Sequence, residues 1–268
     1  MKIVRFLSHG EKISYGIYAP ERPDEALEIE GDIFGEFRMT ERRLKIEKWL
    51  APVDPPNILA LGINYRQHGD ETQMTYPDIP VLFLKATTSI TGPGSVIWLP
   101  RAGPSLVDYE GELAVVIGRR VKNIPKEEAL SCVLGYTCAN DVSARDWQFH
   151  KQKNQWARGK SFDSFCPIGP YIVTADEILD PNNLRISTLL NGSIVQDSDT
   201  SDMIFDVPSI ISNLSMSMTL LPGTVILTGT PEGVGYTRNP PVFLNPGDIV
   251  SVSIEGIGEL SNVVRCEE

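Results

Sequence analysis

The chain reads as an α+β protein that is predominantly β, with a small α/β unit at its N-terminus. Three observations carry this. From residue 57 onward, short segments rich in Val, Ile, Leu and Thr follow one another with Gly, Pro, Asn or Asp between them, the pattern of strands joined by turns. Segments with helical spacing are few. The run Pro52-Val53-Asp54-Pro55-Pro56 interrupts any regular element and divides residues 1–52 from residues 57–268.

In chain order, residues 2–7 and 13–18 alternate as half-buried strands do. Residues 40–50 predict a helix, with Thr40 as its N-cap. Strands follow over 58–61, 81–84, 113–117, 133–139, 168–173, 184–190, 193–196, 224–228, 249–254 and 258–264. Asn191-Gly192 lies between two of them and signals a two-residue hairpin. The predicted helices are 125–130, 144–155 and 207–218.

The chain has 268 residues, 24 Lys+Arg and 35 Asp+Glu, a net charge of -11. That balance argues against nucleic acid and against an anionic membrane surface as partners. No apolar run approaches the ~18 residues of a membrane span. Residues 1–7 are interrupted by Arg5 and read as a strand, not as the apolar middle of a signal peptide. A cytoplasmic protein is expected. Cys132, Cys138 and Cys166 sit in apolar segments, none of the four cysteines forms a C-x-x-C pair, and buried free thiols are expected.

Glu110-Gly111-Glu112 precedes the apolar run Leu113-Ala114-Val115-Val116-Ile117. Side chains two apart on a strand share a face, so both carboxylates project together at the edge of a core. Either one stays protonated or a cation sits between them. Asp141 stands where an apolar strand hands over to the next segment. With it the set is all oxygen, which suits Mg²⁺, Mn²⁺ or Ca²⁺ and not zinc. Spacing alone leaves surface acids open. His68 and Glu71 are three apart and would share a face of a short helical turn, where a carboxylate orients an imidazole for proton transfer. A surface ion pair has the same spacing. His9 and His150 read as solvated. Lys160, between Gly159 and Ser161-Phe162, could face an anion, as could Lys85 after Val81-Leu82-Phe83-Leu84; for either one alone, solvation is the simpler reading. The loop Thr228-Gly229-Thr230-Pro231-Glu232-Gly233-Val234-Gly235 lacks the Lys of a P-loop. Its amides and the Thr230 hydroxyl could hold one carboxylate. Asp197-Ser198-Asp199-Thr200-Ser201-Asp202 fails as an EF-hand, having no glycine at the sixth position.

These segments, in this order, resemble the fumarylacetoacetate hydrolase family. The similarity is carried by Gly62-Ile63-Asn64-Tyr65 with His68 and Glu71, by Asp108-Tyr109-Glu110-Gly111-Glu112, and by Asn140-Asp141-Val142-Ser143-Ala144-Arg145-Asp146-Trp147-Gln148. Gly159-Lys160-Ser161-Phe162-Asp163, Gln196 with Thr200 and Met203, Leu221-Pro222-Gly223-Thr224 and the glycine loop complete it. The resemblance implies a mixed β-roll catalytic domain, a homodimer, and a divalent cation on Glu110, Glu112 and Asp141. It implies a small 2-oxo or 2,4-dioxo acid as substrate, reacting through a metal-held enolate. His68 and Glu71 would move protons from a lid, Lys160 would stabilise the developing anion, and Thr230, Gly229, Gln148 and Arg145 would contact substrate. Acylpyruvate hydrolysis is the leading expectation. Oxaloacetate tautomerase or decarboxylase and 2-hydroxyhepta-2,4-diene-1,7-dioate isomerase are the alternatives, and a non-catalytic 2-oxo-acid-binding module is a further one.

Overall fold

The computed structural model describes residues 1–102 and 105–268. Two sheets dominate it. The larger runs, neighbour to neighbour, through Phe37–Lys45, Glu25–Gly31, Lys12–Tyr18, Lys2–Ser8, Cys166–Thr174, Val133–Asn140, Gly111–Ile117, Val225–Leu227, Ile58–Gly62 and Val81–Lys85. It is mixed, because Val225–Leu227 pairs parallel with Ile58–Gly62 while its other partner is antiparallel. The N-terminal strands join this sheet through Lys2–Ser8, which pairs with Cys166–Thr174. The second sheet orders Ser193–Asp199, Arg185–Leu190, Ile249–Ile254, Gly258–Cys266 and Val96–Leu99.

The strand Gly111–Ile117 is buried along its whole length. Leu113, Val115 and Ile117 enter one apolar cluster with Ile186, Val252, Ile254 and the helix residues Ile210 and Leu214. Ala114 and Val116 enter another with Ile58, Ala60, Ile168 and Leu227. The period of two thus sorts one strand into two cores, and Glu110 and Glu112 fall on the Ala114–Val116 side. The buried Leu113, Val115, Val116 and Ile117 each contribute about 1.5–3 kcal/mol.

The predicted strands from residue 58 onward are present, some a few residues longer. Asn191 (φ 53) and Gly192 (φ 81) turn the hairpin with two left-handed residues, as a type I′ turn requires. The helix Val207–Ser217 is capped by Asp206, whose carboxylate accepts from the Ser209 amide. Lys126–Cys132 forms a short 3₁₀ segment in place of a regular helix.

Two further expectations are corrected. Residues 40–50 are not helical: Phe37–Lys45 is a strand antiparallel to Glu25–Gly31, and Lys48–Trp49 pairs with the first strand. Thr40 caps nothing helical. The polar residues instead pair across strands, Arg38 with Glu30 and Arg42 with Glu28, contacts that an isolated charged segment does not announce. The predicted helix 144–155 is also broken. A π-helical turn spans Asp146–Lys151, Lys153 and Asn154 adopt left-handed backbone, and a separate turn covers Trp156–Gly159. Cys132, Cys138 and Cys166 are buried free thiols and Cys266 is exposed.

Candidate active site

Antiparallel pairing of Gly111–Ile117 with Val133–Asn140 aligns Gly111 with Asn140. The next residue on each strand, outward, is Glu110 and Asp141. Their backbones are bonded, Asp141 N–H to the Glu110 carbonyl at 2.8 Å, and the Asn140 side chain accepts from the Glu110 amide at 3.0 Å. The paired ends of two strands therefore deliver three carboxylates to one spot. Glu110, Glu112 and Asp141 are all buried, and each offers an oxygen within 4.8 Å of the others.

Cations surround them. Lys160 Nζ donates to Glu110 Oε2 at 2.8 Å, to Asp141 Oδ2 at 2.6 Å and to the Ser143 hydroxyl at 2.7 Å. Lys85 Nζ bonds the other Asp141 oxygen. Both lysines are buried, so the solvated reading fails for each. Lys85 was legible: Val81, Phe83 and Lys85 share a strand face, and Phe83 is buried.

Arg145 donates Nη1 to Glu110 Oε1 at 2.5 Å and to Gln148 Oε1 at 3.0 Å, and sends Nε and Nη2 to Asp108 Oδ2 at 2.9 and 2.7 Å. The Tyr236 ring lies 4.3 Å from its guanidinium. These bonds make Arg145 a holder of Glu110 and Gln148. Asp108, which sequence reasoning left without a role, anchors it.

The glycine loop does cradle anions, but they are the protein's own. Gly229 N–H donates to Glu112 Oε2 at 2.6 Å, Gly233 N–H to Glu71 at 3.1 Å, and the amides of Gly235 and Tyr236 to Asp108 at 2.8 and 3.0 Å. Gly229 can do this only as glycine: its φ is 97°, and a Cβ there would lie 2.8 Å from the Asn64 Cβ. The Thr230 hydroxyl donates to the Gly111 carbonyl and accepts from Gln196, whose own oxygen takes the Gly111 amide.

Burial opposes ionisation of Glu110, yet Lys160 and Arg145 outweigh it and hold its carboxyl down at about 2. Glu112 is the reverse. Burial, then Asp141 and Glu110, push it well above the usual carboxylate range. Burial also disfavours the Lys160 ammonium, but Asp141 and Glu110 prevail and raise it.

This donor set fits a divalent cation. Glu112 Oε1 is buried and has no hydrogen-bond partner among the described residues. Four buried acids, Asp108, Glu110, Glu112 and Asp141, face three buried cations, Lys85, Arg145 and Lys160. Ionised Glu112 leaves one net negative charge, which a divalent cation together with a monoanionic carboxylate would cancel. All donors are oxygen, as hard cations prefer.

Over this cluster lies the short helix Arg66–Thr72. His68 is 8% exposed, and its Nδ1 lies 3.3 Å from Glu71 Oε2. Glu71 also accepts from the Thr237 hydroxyl at 2.7 Å. These partners and the Gly233 amide pull its carboxyl below its ordinary value, against burial, the largest influence. Arg66 ties the helix to the carbonyls of Asp202 and Met203. The pocket beneath is lined by His68, Glu110, Arg145, Gln148, Lys160 and Thr230, among others, and encloses about 30 Å³. That is room for about one water. Of the other predicted features, His9 and His150 are exposed. The acidic run is structural: Asp197 pairs with Arg185, Asp199 caps Ser201, and Asp202 accepts from the Gln67 amide.

The comparisons with known proteins point to one family. The family model described as Fumarylacetoacetate (FAA) hydrolase C-terminal matches residues 57–265, and one described as Rv2993c-like, N-terminal, matches residues 1–52. Oxaloacetate tautomerase fahd2, mitochondrial, of Xenopus laevis is 49% identical over 216 residues, spanning 80% of this chain and 67% of that protein. The crystal structure of 5-carboxymethyl-2-hydroxymuconate delta-isomerase from Mycobacterium smegmatis is 41% identical, with a TM-score of 0.87 and 100% coverage of both chains. That of 2-hydroxyhepta-2,4-diene-1,7-dioate isomerase from Mycobacterium marinum is 42% identical, with a TM-score of 0.85, covering 100% of this chain and 99% of the other. With its catalytic-size segment matched nearly end to end and its acidic cluster assembled, the chain belongs to the fumarylacetoacetate hydrolase family of enzymes.

Proposed function

We propose that this protein moves a proton between carbon and oxygen of a small 2-oxo acid, as a divalent-metal-dependent keto–enol tautomerase or isomerase. The observation that carries the reading is the placement of His68, partnered through Nδ1 by Glu71, in the same small pocket as Glu110 and Lys160. Mg²⁺ or Mn²⁺ on Glu110, Glu112 and Asp141 would supply Lewis acidity toward the carbonyl of a bound 2-oxo acid. The protein's own groups do the rest. Glu71 orients His68 through Nδ1, leaving Nε2 to accept the proton from the carbon beside the carbonyl or to return it. Glu71 stabilises the imidazolium formed in between. The Lys160 ammonium raises the positive potential where an enolate oxygen would carry charge. A proton changes place and no carbon–carbon bond breaks. The names of the relatives, a tautomerase and two isomerases, support the same chemistry.

Hydrolysis of an acylpyruvate is the second reading, favoured by the family description and by the same dyad. Here His68 would deprotonate a water that attacks the distal carbonyl, and the departing carbon would take up a proton to give pyruvate and a carboxylic acid. The deciding experiment follows enol-oxaloacetate with Mg²⁺ or Mn²⁺ present while assaying pyruvate and CO₂. Tautomerisation consumes the enol and releases neither, chelation abolishes it, and His68→Ala slows it about 10²–10⁴-fold. Pyruvate or CO₂ released in step with enol loss would remove the tautomerase reading. Cleavage of acetylpyruvate to acetate and pyruvate would establish the second one. Binding of oxalate without any turnover would leave a binding module.

A further inference from the structure

We propose that the site also takes 2-oxo acids longer than oxaloacetate, and that the distal end of such a substrate is uncharged and apolar. The inference rests on the 2-oxo-acid reading above and concerns a groove that continues outward from the pocket. Met74, Phe83, Phe149 and Trp156 line both the pocket and the groove. Val81 and Leu82 extend its apolar wall, and the whole groove encloses about 430 Å³. The inner pocket holds His68, Glu110, Arg145 and Lys160, whereas none of the described residues lining the groove is charged. Its polar members, Asn154 and Gln155, are neutral and exposed.

This gradient orients a guest. The 2-oxo carboxylate belongs at the inner end, beside Lys160 and the acids that would hold the divalent cation. The substituent beyond the carbonyl must then run past Phe83 and Trp156. A second carboxylate there would lose hydration and gain no cation in exchange. An alkyl or aryl group would instead bury against aromatic faces, worth about fourfold in affinity per methylene. The wall is built in advance. Trp156 meets Phe83 edge-on, with ring centroids 5.8 Å apart. It also seats directly on Gly62, where a Cβ would come within 2.0 Å of the indole. Met74 and Phe149 come from the segment after the lid helix and from the π-helical turn, so lifting of the lid widens the groove and pocket together.

The test is direct binding by calorimetry in the presence of Mn²⁺, using acids matched in length: 2-oxohexanoate against 2-oxoadipate, and 2-oxopentanoate against 2-oxoglutarate. The methyl-ended acid of each pair is expected to bind at least tenfold more tightly. Gln155→Arg, an exposed change that leaves the core intact, and Val81→Lys are each expected to shrink or reverse that preference. Equal or tighter binding of the diacids to the unaltered protein overturns the inference, as does failure of all four acids to bind. The expected preference without turnover of enol-oxaloacetate leaves this inference standing and removes the proposed activity. Turnover without the preference does the opposite.

Discussion

The hydroxyl of Thr237 donates a 2.7 Å hydrogen bond to the Glu71 carboxylate across 166 residues of sequence. Glu71 thereby serves two elements at once, as the partner of His68 on the lid helix and as the latch that holds this helix to the glycine loop. Thr237→Val removes one donor and leaves the Gly233 amide in place. The expected loss is about 0.5–1.5 kcal/mol of lid closure, felt as a drop of up to about tenfold in kcat/KM. The midpoint of global unfolding should fall by no more than that amount, because the core is untouched.

Acid dependence of stability follows from the same carboxylate. The folded pKa of Glu71 lies below its ordinary value, since His68, Thr237 and the Gly233 amide together outweigh its burial. A depressed acid contributes stability that is present above the unfolded pKa, about 4.3, and disappears as pH falls through the folded value. Denaturant midpoints of the wild type and Glu71→Gln should differ most above about pH 5 and converge at lower pH. A difference that widened on acidification would contradict this assignment of partners.

Glu112→Gln should separate stability from metal binding. In the metal-free protein it removes an acid crowded by Glu110 and Asp141 and pushed well above its ordinary value. Its melting temperature in chelator should match or exceed that of the wild type. Calorimetric Mn²⁺ affinity should fall about 100-fold or more, the scale expected when one of three charged donors is lost. Adding Mn²⁺ should raise the wild-type melting temperature more than the variant's at the same concentration.

Arg145 should matter to the fold as much as to the site. Arg145→Met leaves Asp108 and Glu110 buried without their shared partner, a defect of about 3–5 kcal/mol. Urea unfolding should report it. Arg145→Lys keeps a charge but cannot span Asp108, Glu110 and Gln148 together. It should recover part of the stability and little of the activity.

Glu110, Glu112 and Asp141 were readable in the chain because strand periodicity is local: two acids at i and i+2 must share a face, and Asp141 ends an apolar run. Lys85 was readable by the same rule and was discounted. The segment 40–50 was misread because Thr40 before a run of Glu, Arg and Lys imitates a capped helix, and the acid that draws Arg42 into a sheet lies on another strand. The use of the glycine loop was not readable either. Its amides were expected to hold a substrate carboxylate, and they hold Glu71, Asp108 and Glu112.

The sequence by itself determined the β-rich architecture, the family, and the three acids of the cluster, because each depends on short-range pattern or on the order of motifs. Only the tertiary structure decided which cation faces which acid, that Glu71 is latched by Thr237, and that an uncharged groove leaves the pocket. Those are pairings between segments up to 166 residues apart. Their energies depend on burial and distance, quantities that no local spacing carries.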